Sequence, residues 1–401
     1  MEKKAGDSIP RQIARTSSSS RCGTDTESPS VYLVVGHGVT RPAYSVFKVP
    51  AGGGGGDSDS DDDTPVPLPP HPARLASKHC MCFVPVQSRH GPWIVGVGGN
   101  SARDYGPETI VFDTKTCKAI PGPKLLSTKL CPVLLTFGER IYALATMPAV
   151  TGDVNFVPWF EVLDLSMARV DDGSGCLVDC EWKALPRPPF FPWDLTPTDY
   201  IFPPQVTVKS HVAVGSYILL SITGQTGTHM FDVETEQWAK LDDKDLPFIG
   251  PAIPQGTLFL GLSNATEELT AYKINVCASA VASPSAITAG CLSLSIVEIQ
   301  IVTNEAEEEI VSTGRFISLN YPAGNPGFCS FKWCNDDPLE FRISSLPQHV
   351  RELVTITAYS TVDYLESTRT LVISTQWKQV YSIYDPLRRL SSPCLQGIIS
   401  F

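Results

Sequence analysis

The densest group of potential metal ligands in the chain is the run His79-Cys80-Met81-Cys82. On a β-strand, Cys80 and Cys82 point to the same face, so two thiolates could converge there. A structural zinc site takes about four ligands, usually supplied by two closely spaced pairs. No second pair stands at a suitable spacing, so we interpret these cysteines as small buried core residues and predict no metal site.

Motifs that carry catalysis by themselves do not occur in the sequence. There is no Gly-x-Ser-x-Gly turn, no phosphate-binding loop and no His-Glu-x-x-His pair. The glycine run from Gly52 to Gly56 leads into aspartates and not into a helix that carries lysine and a hydroxyl residue. We therefore predict a protein without catalytic residues and without a cofactor.

The clearest candidate for a binding site is an aromatic segment between Pro186 and Pro204. It contains five aromatic residues among prolines, namely Phe190, Phe191, Trp193, Tyr200 and Phe202. Aromatic side chains on a loop stiffened by proline lose little entropy on binding, which suits a recognition surface for a partner. The alternative is that they pack back onto the domain and cover part of its core.

The elements that must position these residues are short β-strands. Apolar, β-branched and aromatic runs alternate with glycine and proline, and no stretch shows a sustained helical period. A tight turn of the form Asp-x-x-Thr recurs between strands, at Asp113 to Thr116 and at Asp232 to Thr235. Equivalent positions of successive repeats, at the turn after the third strand, lie roughly 40 to 70 residues apart. This spacing is typical of a β-propeller built from four-stranded blades.

The predicted strands form five complete groups of four, with further strands at Val31 to Pro50 and at the C-terminus. Six blades are therefore favoured, and seven are the second choice. The first group has too few strands of its own, so we expect the C-terminal segment to complete it and close the ring. Closure by the N- and C-terminal strands would remove exposed sheet edges.

The glycine pair Gly98-Gly99, and the run Phe231-Asp232-x-x-Thr235 followed by Trp238, resemble the kelch repeat. The order of segments from residue 31 onwards is similar to the plant domain of unknown function 1668 family, whose members are similar to kelch propellers. The stretches that carry this resemblance are Val31–Val49, Leu246–Ala252 with Leu258–Ser263, and Phe316–Phe331. The resemblance implies a propeller and implies no known activity.

The chain is predicted to form one domain with two polar additions. Residues 1–30 are serine-rich and aperiodic and are expected to be a disordered tail, and residues 31–401 form the propeller. A Gly/Asp-rich insertion at residues 51–64 is expected to be flexible. It holds five of the charges that give the chain its formal net charge of −11, and the remaining acidic body argues against nucleic-acid binding.

The sequence shows no secretory signal and no convincing membrane span. Its twelve cysteines are spread over the whole chain, which is typical of reduced thiols in the core of a cytoplasmic or nuclear protein. We therefore expect no contact with a membrane. The sequence makes no prediction of the oligomeric state.

Three functional hypotheses remain open at this point. The first is a non-enzymatic intracellular propeller that binds another protein through loops at one end of the ring. The second is an enzyme or small-molecule receptor whose polar residues converge at the central channel. The third is a ubiquitin-ligase substrate adaptor that lacks its own F-box and gains its link to the ligase from a partner chain.

Overall fold

The computed structural model describes residues 30–37, 43–50, 65–68, 73–76, 79–100, 108–129, 131–146, 158–191, 198, 206–278, 292–304, 315–320, 326–335, 352–383 and 394–400. The elements in these ranges are all β-strands, so the chain is an all-β protein. Within the same ranges no helix is long and apolar enough to cross a membrane. The predicted tail, apart from its last residue, and the predicted insertion at 51–64 lie outside the described residues.

Most of the described strands fall into six antiparallel groups of four, and two parallel strand pairings join the last three groups into one continuous sheet. The first group contains β1 (Ser30–His37), β2 (Ala43–Pro50), β4 (Ala73–Ala76) and β27 (Cys394–Ser400). The second contains β5 (His79–Ser88), β6 (Gly91–Asn100), β7 (Glu108–Asp113) and β8 (Lys118–Pro121). The third contains β9 (Val133–Phe137), β10 (Arg140–Leu144), β11 (Phe160–Asp164) and β14 (Trp182–Ala184).

The other three groups follow in chain order. The fourth contains β15 (Val208–Val214), β16 (Tyr217–Ile222), β17 (Thr228–Asp232) and β18 (Gln237–Asp242). The fifth contains β19 (Phe248–Gln255), β20 (Leu258–Ser263), β21 (Leu269–Ala278) and β22 (Leu292–Thr303). The sixth contains β23 (Arg315–Asn320), β24 (Pro326–Asn335), β25 (Glu352–Leu365) and β26 (Thr370–Ile383). Three short strands lie outside the groups, namely β3 (Val66–Pro67), β12 (Arg169–Val170) and β13 (Leu177–Val178).

The groups are arranged like the blades of a propeller. The strand at one edge of each group lies beside the corresponding strand of a neighbouring group, with contacts from β27 to β5, β5 to β9, β15 to β19, β19 to β23 and β23 to β27. We call β27, β5, β9, β15, β19 and β23 the inner strands. The chain is therefore an all-β protein with the blade organisation of a β-propeller.

The first and the last of the described strands meet in the first group. Strand β27 pairs with β1 from Val31 opposite Ser400 to Gly36 opposite Cys394, with one irregularity in the register. This pairing supplies the fourth strand of the first group from the end of the chain. Closure of the whole ring and a count of six blades remain predictions.

Both faces of the central strand β6 are buried, because the second group packs against the first group on one face and against the third on the other. On β6, Trp93, Val95 and Val97 pack into a cluster shared with the third group. The alternate residue Ile94 packs into a different cluster, with Tyr32 and other residues of the first group. This alternation of side chains between two cores is expected for a strand buried on both faces.

The recurrent Asp-x-x-Thr sequence forms the tight turn that its residues predict. The Asp232 carboxylate accepts hydrogen bonds from the Glu234 amide and the Thr235 hydroxyl, both at 2.9 Å. The next residue, Glu236, has a φ of +56°, which turns the chain into β18. Trp238 then donates its indole N–H to the carbonyl oxygen of Pro186 at 3.0 Å, which ties the fourth group to the chain leaving the third.

Candidate functional site

Two connectors leave the third group at the same end of its sheet. One joins β10 to β11 and the other joins β14 to β15. Strand β14 pairs antiparallel with β11, and β11 pairs antiparallel with β10, so β10 and β14 run in the same direction. The connectors contain residues 147–157 and 192–197 with 199–205, which lie outside the described residues. We call these connectors the paired loops.

A cluster of aromatic side chains lies where the paired loops begin and end. Trp159, directly after the first loop, packs edge-on against Phe191, directly before the second, with 5.2 Å between ring centroids and an interplanar angle of 84°. Phe191 also packs edge-on against Phe190 at 4.9 Å. We call Trp159, Phe190 and Phe191 the loop base. Because rings in contact fix each other's position, the end of the first loop and the start of the second share one anchor.

The loop base is part of the hydrophobic core between the third and fourth groups. Phe190 is 4% exposed and Phe191 is 2% exposed. Phe190 packs edge-on against Trp238 at 5.3 Å, and its carbonyl oxygen accepts a hydrogen bond of 2.8 Å from the Gln225 amide. The chain is therefore held at this point by both side-chain and main-chain contacts.

The five aromatic residues that the sequence singles out fall into two sets. Phe190 and Phe191 pack into the core, as the alternative interpretation of the segment expects, and in this arrangement they present no free surface to a partner. Trp193, Tyr200 and Phe202 lie outside the described residues. A binding role for the five residues remains a prediction, and the two buried rings lie where the second paired loop begins.

A buried polar cluster supports the other side of the loop base. The Lys129 ammonium forms an ion pair with the Glu161 carboxylate, and both side chains are fully buried. Lys129 also donates to the Ser127 hydroxyl at 2.9 Å and to the carbonyl oxygen of Pro158 at 3.0 Å. Glu161 accepts in addition from the main-chain amides of Leu126 and Ser127, at 2.8 and 3.1 Å.

A serine hydroxyl beside a lysine is an arrangement that some nucleophilic enzymes use, but these groups are held in another role. Burial lowers the pKa of Lys129, while the charge of Glu161 and its hydrogen bond oppose that shift. The Ser127 hydroxyl donates to the Pro158 carbonyl, so the cluster fixes the residue before Trp159.

This cluster was not predicted from the sequence. One sequence feature pointed to it, namely Glu161, an acidic residue inside the apolar run Phe160 to Leu163. A carboxylate in such a strand requires a buried partner. Its partner, Lys129, stands 32 residues earlier in a polar connector, and no local spacing joins the two.

The inner strands are the place where a channel site would be assembled. They are built mainly from apolar and hydroxyl side chains, and within the described residues none of them carries aspartate or glutamate. His211 on β15 is their clearest titratable group, and burial lowers its pKa to about 4. It lies opposite Leu220 on β16 and is therefore on the apolar face shared with the third group.

An open cavity of about 500 Å³ lies at the segment between β11 and β14. It is lined by Asp164, Ser166, Met167, Asp179, Cys180, Glu181 and Lys183. Arg140 pairs with Asp164 at 3.0 Å and Arg169 pairs with Asp179 at 2.5 Å, so two of its three carboxylates are neutralised. Burial raises the pKa of Cys180 to about 11, which keeps the thiol protonated at neutral pH.

The structure gives no support to a metal centre at the cysteine run. Cys82 is half-buried on β5, and the side chains of His79 and Cys80 are not described. Within the described residues, no group of three or more His, Cys, Asp and Glu side chains could hold a metal ion. The cysteines that are described, from Cys82 to Cys329, form no disulfide with one another.

Comparison with known proteins identifies a family and general structural likenesses. A family model described as a protein of unknown function, DUF1668, matches residues 28–381. No curated protein matches the chain. The WD40 domain of SCAP from fission yeast is similar at 10% identity and a TM-score of 0.30, covering 86% of this chain and 74% of that one. Apo AztD from Citrobacter koseri is similar at 10% identity and a TM-score of 0.32, covering 93% and 98%.

Proposed function

Since the chain belongs to the DUF1668 family of proteins of unknown function, we infer its function from its own geometry. We propose that it is a non-enzymatic, kelch-like propeller that binds another protein through the paired loops. The observation that carries this proposal is the contact between Trp159 and Phe191, which joins the end of the first connector to the start of the second. A rigid scaffold that presents loops at one end is the usual way in which propellers form recognition sites.

The loop base lowers the cost of binding. Ordering a loop on a partner costs conformational entropy, and this cost falls when the loop ends are already fixed. One end of each paired loop is fixed by a buried aromatic ring, and the Lys129–Glu161 ion pair holds the carbonyl of Pro158 beside it.

Three observations support a binding role over catalysis. The described inner strands carry Lys209, His211 and Arg315 but no aspartate or glutamate, whereas a channel site would need acids as well as bases. The Ser127–Lys129 pair is committed to holding Pro158. The Cys180 thiol, in the described cavity, has a raised pKa of about 11 and so is a weak nucleophile at neutral pH.

We also place the protein inside the cell. Cys329 is a fully buried free thiol, and burial raises its pKa to about 12. Cys117 and Cys131 are exposed and form no disulfide, which suits a reducing compartment. Fractionation of native tissue tests this assignment, and recovery of the protein in a secreted or luminal fraction would contradict it.

Affinity capture with three forms of the full chain tests the binding proposal. The first is unchanged, the second has residues 147–157 and 192–205 replaced by short Gly/Ser linkers, and the third has residues 279–291 replaced in the same way. The last replacement is a matched control, because it lies between β21 and β22 at the opposite end of the strands. We expect the same specific partner with the first and third forms and its loss with the second.

Two other outcomes would redirect the proposal. If all three forms capture the same partner, the paired loops are not its binding site. If none captures a specific protein, binding of another protein is not the function, and a screen of metabolites against the purified chain addresses the channel hypothesis. A cullin scaffold among the captured proteins would favour the ligase-adaptor form of the proposal.

A further inference from the structure

One edge of strand β22 is paired over only part of its length. Residues 292–299 of β22 pair antiparallel with β21 on one edge of the strand. The opposite edge pairs in parallel with β26, and only over Gln300 to Thr303. Among the described residues, this second edge has no strand beside residues 293–299, a length of roughly 23 Å at about 3.3 Å per residue. We call this part of β22 the free edge.

The hydrogen bonds at the paired end show which main-chain groups face the free edge. The Gln300 amide donates to the carbonyl oxygen of Arg369 at 2.9 Å, on the side of β26. The amide and carbonyl of one residue point to the same edge, and successive residues alternate between the two edges. Because the register between β21 and β22 has no irregularity, the main-chain groups of Leu294, Ile296 and Glu298 point to the free edge.

The free edge lacks the features that usually prevent another strand from pairing. Proteins protect exposed edges with lysine, proline, bulges or charged residues that point inward. Residues 293–297 carry no charge, no proline and no glycine. Leu294 and Ile296 pack against the core shared by the fourth and fifth groups, while Ser293 and Ser295 are exposed on the other face. The strand is therefore held in place with an edge that can accept a further strand.

We propose that the free edge pairs with the same edge of a second copy of this chain, which gives a twofold symmetric dimer. Antiparallel pairing about Ser295 places this residue opposite its own copy and places Leu294 opposite Ile296 of the second copy. Apolar residues then meet apolar residues on one face, and serine meets serine on the other. The one charged residue of the pairing, Glu298, lies opposite Leu292, so no like charges face each other.

The length of the free edge fits this register. Residues 292–298 of one copy lie opposite residues 292–298 of the other. Strand β22 begins at Leu292, and its pairing with β26 begins at Gln300, so the second copy reaches the end of the free edge without displacing β26. The edge-facing groups of Leu294 and Ile296 meet their counterparts and form hydrogen bonds. A contact of this size is small for a protein interface, so the dimer should dissociate on dilution.

Analytical ultracentrifugation of the full chain over a rising series of concentrations tests the proposal. We expect the average mass to rise towards twice that of one chain. S295K and S295E each place like charges opposite each other at the centre of the pairing, so each should remain a single chain. An equimolar mixture of the two should dimerise again, because opposite charges then meet. The matched controls S174K and S174E change the charge equally at an exposed residue of the third group and should dimerise like the parent.

Residue-resolved amide hydrogen exchange of the parent chain locates the contact without any substitution. Exchange at Leu294, Ile296 and Glu298 should slow as the concentration rises, because these amides gain acceptors in the dimer. A parent chain that stays single at every concentration would overturn the proposal, whether a segment of the same chain or a different protein occupies the edge. Dimers that persist in both S295K and S295E, or a mixture of the two that fails to dimerise, would overturn the pairing about Ser295.

Discussion

Replacement of Phe191 by alanine separates a structural anchor from an exposed binding residue. The ring is 2% exposed and packs edge-on against two other aromatic rings. About 150 Å² of buried aromatic surface at about 25 cal/mol per Å² corresponds to nearly 4 kcal/mol. Compact denatured states retain some burial, which reduces the estimate by roughly 10 to 40%. We therefore expect F191A to lower the free energy of unfolding by about 3 kcal/mol.

Guanidinium unfolding, followed by both tryptophan fluorescence and circular dichroism, measures this change. The matched control is M167A, because Met167 is 67% exposed and its substitution should change stability by less than about 0.5 kcal/mol. The comparison requires that the free energy of unfolding decreases with guanidinium concentration at the same slope in both variants and in the parent chain. A loss below about 1 kcal/mol for F191A would refute the packing described for the loop base and would return Phe191 to the set of free recognition residues.

Three further changes test other parts of the account. K129A leaves the Glu161 carboxylate buried without its counter-charge, so we expect a loss of about 3 to 5 kcal/mol by the same assay, and a clearly smaller loss in K129M/E161L. Burial lowers the pKa of His211 to about 4 in the folded state, so as pH falls below 6.5 the imidazole is protonated in the unfolded chain before it is protonated in the folded one. The free energy of unfolding should therefore fall by about 2 kcal/mol between pH 6.5 and 4.5, and H211L should abolish this decrease. E236G should raise stability by up to about 1 kcal/mol, since Glu236 has a φ of +56°, and an unchanged or lower stability would contradict the strain at this turn.

Local sequence was sufficient to predict the strands and their turns. The Asp232-x-x-Thr235 turn is determined by neighbours in the chain, because the carboxylate reaches an amide and a hydroxyl within three residues. The pairing of β27 with β1 also follows from simple physics, since an unpaired inner strand would leave a sheet edge exposed. The sequence therefore predicts those parts of the fold whose contacts are short-range in the chain or follow from the strand repeat.

Long-range contacts set the limits of that reasoning. Whether Phe190 and Phe191 pack or bind depends on Trp238 and Trp159, which come from other connectors and strands. The pairing of Lys129 with Glu161 joins a loop to a strand in the middle of the next group. Strand β3 shows the same limit, because Val66 pairs in parallel with Tyr381 on β26, over three hundred residues away. These residue pairs are too far apart in the chain for a local sequence pattern to predict their contacts.

Site-specific photocrosslinking tests the central claim most directly. A photoreactive phenylalanine analogue replaces Trp193 in one form of the full chain and Met167 in another, and each form is irradiated in native extract. Met167 lies between β11 and β14, at the opposite end of the third group from the paired loops. The account predicts a discrete crosslinked protein from position 193 and none from position 167. Crosslinking of the partner from position 167 alone would contradict recognition through the paired loops.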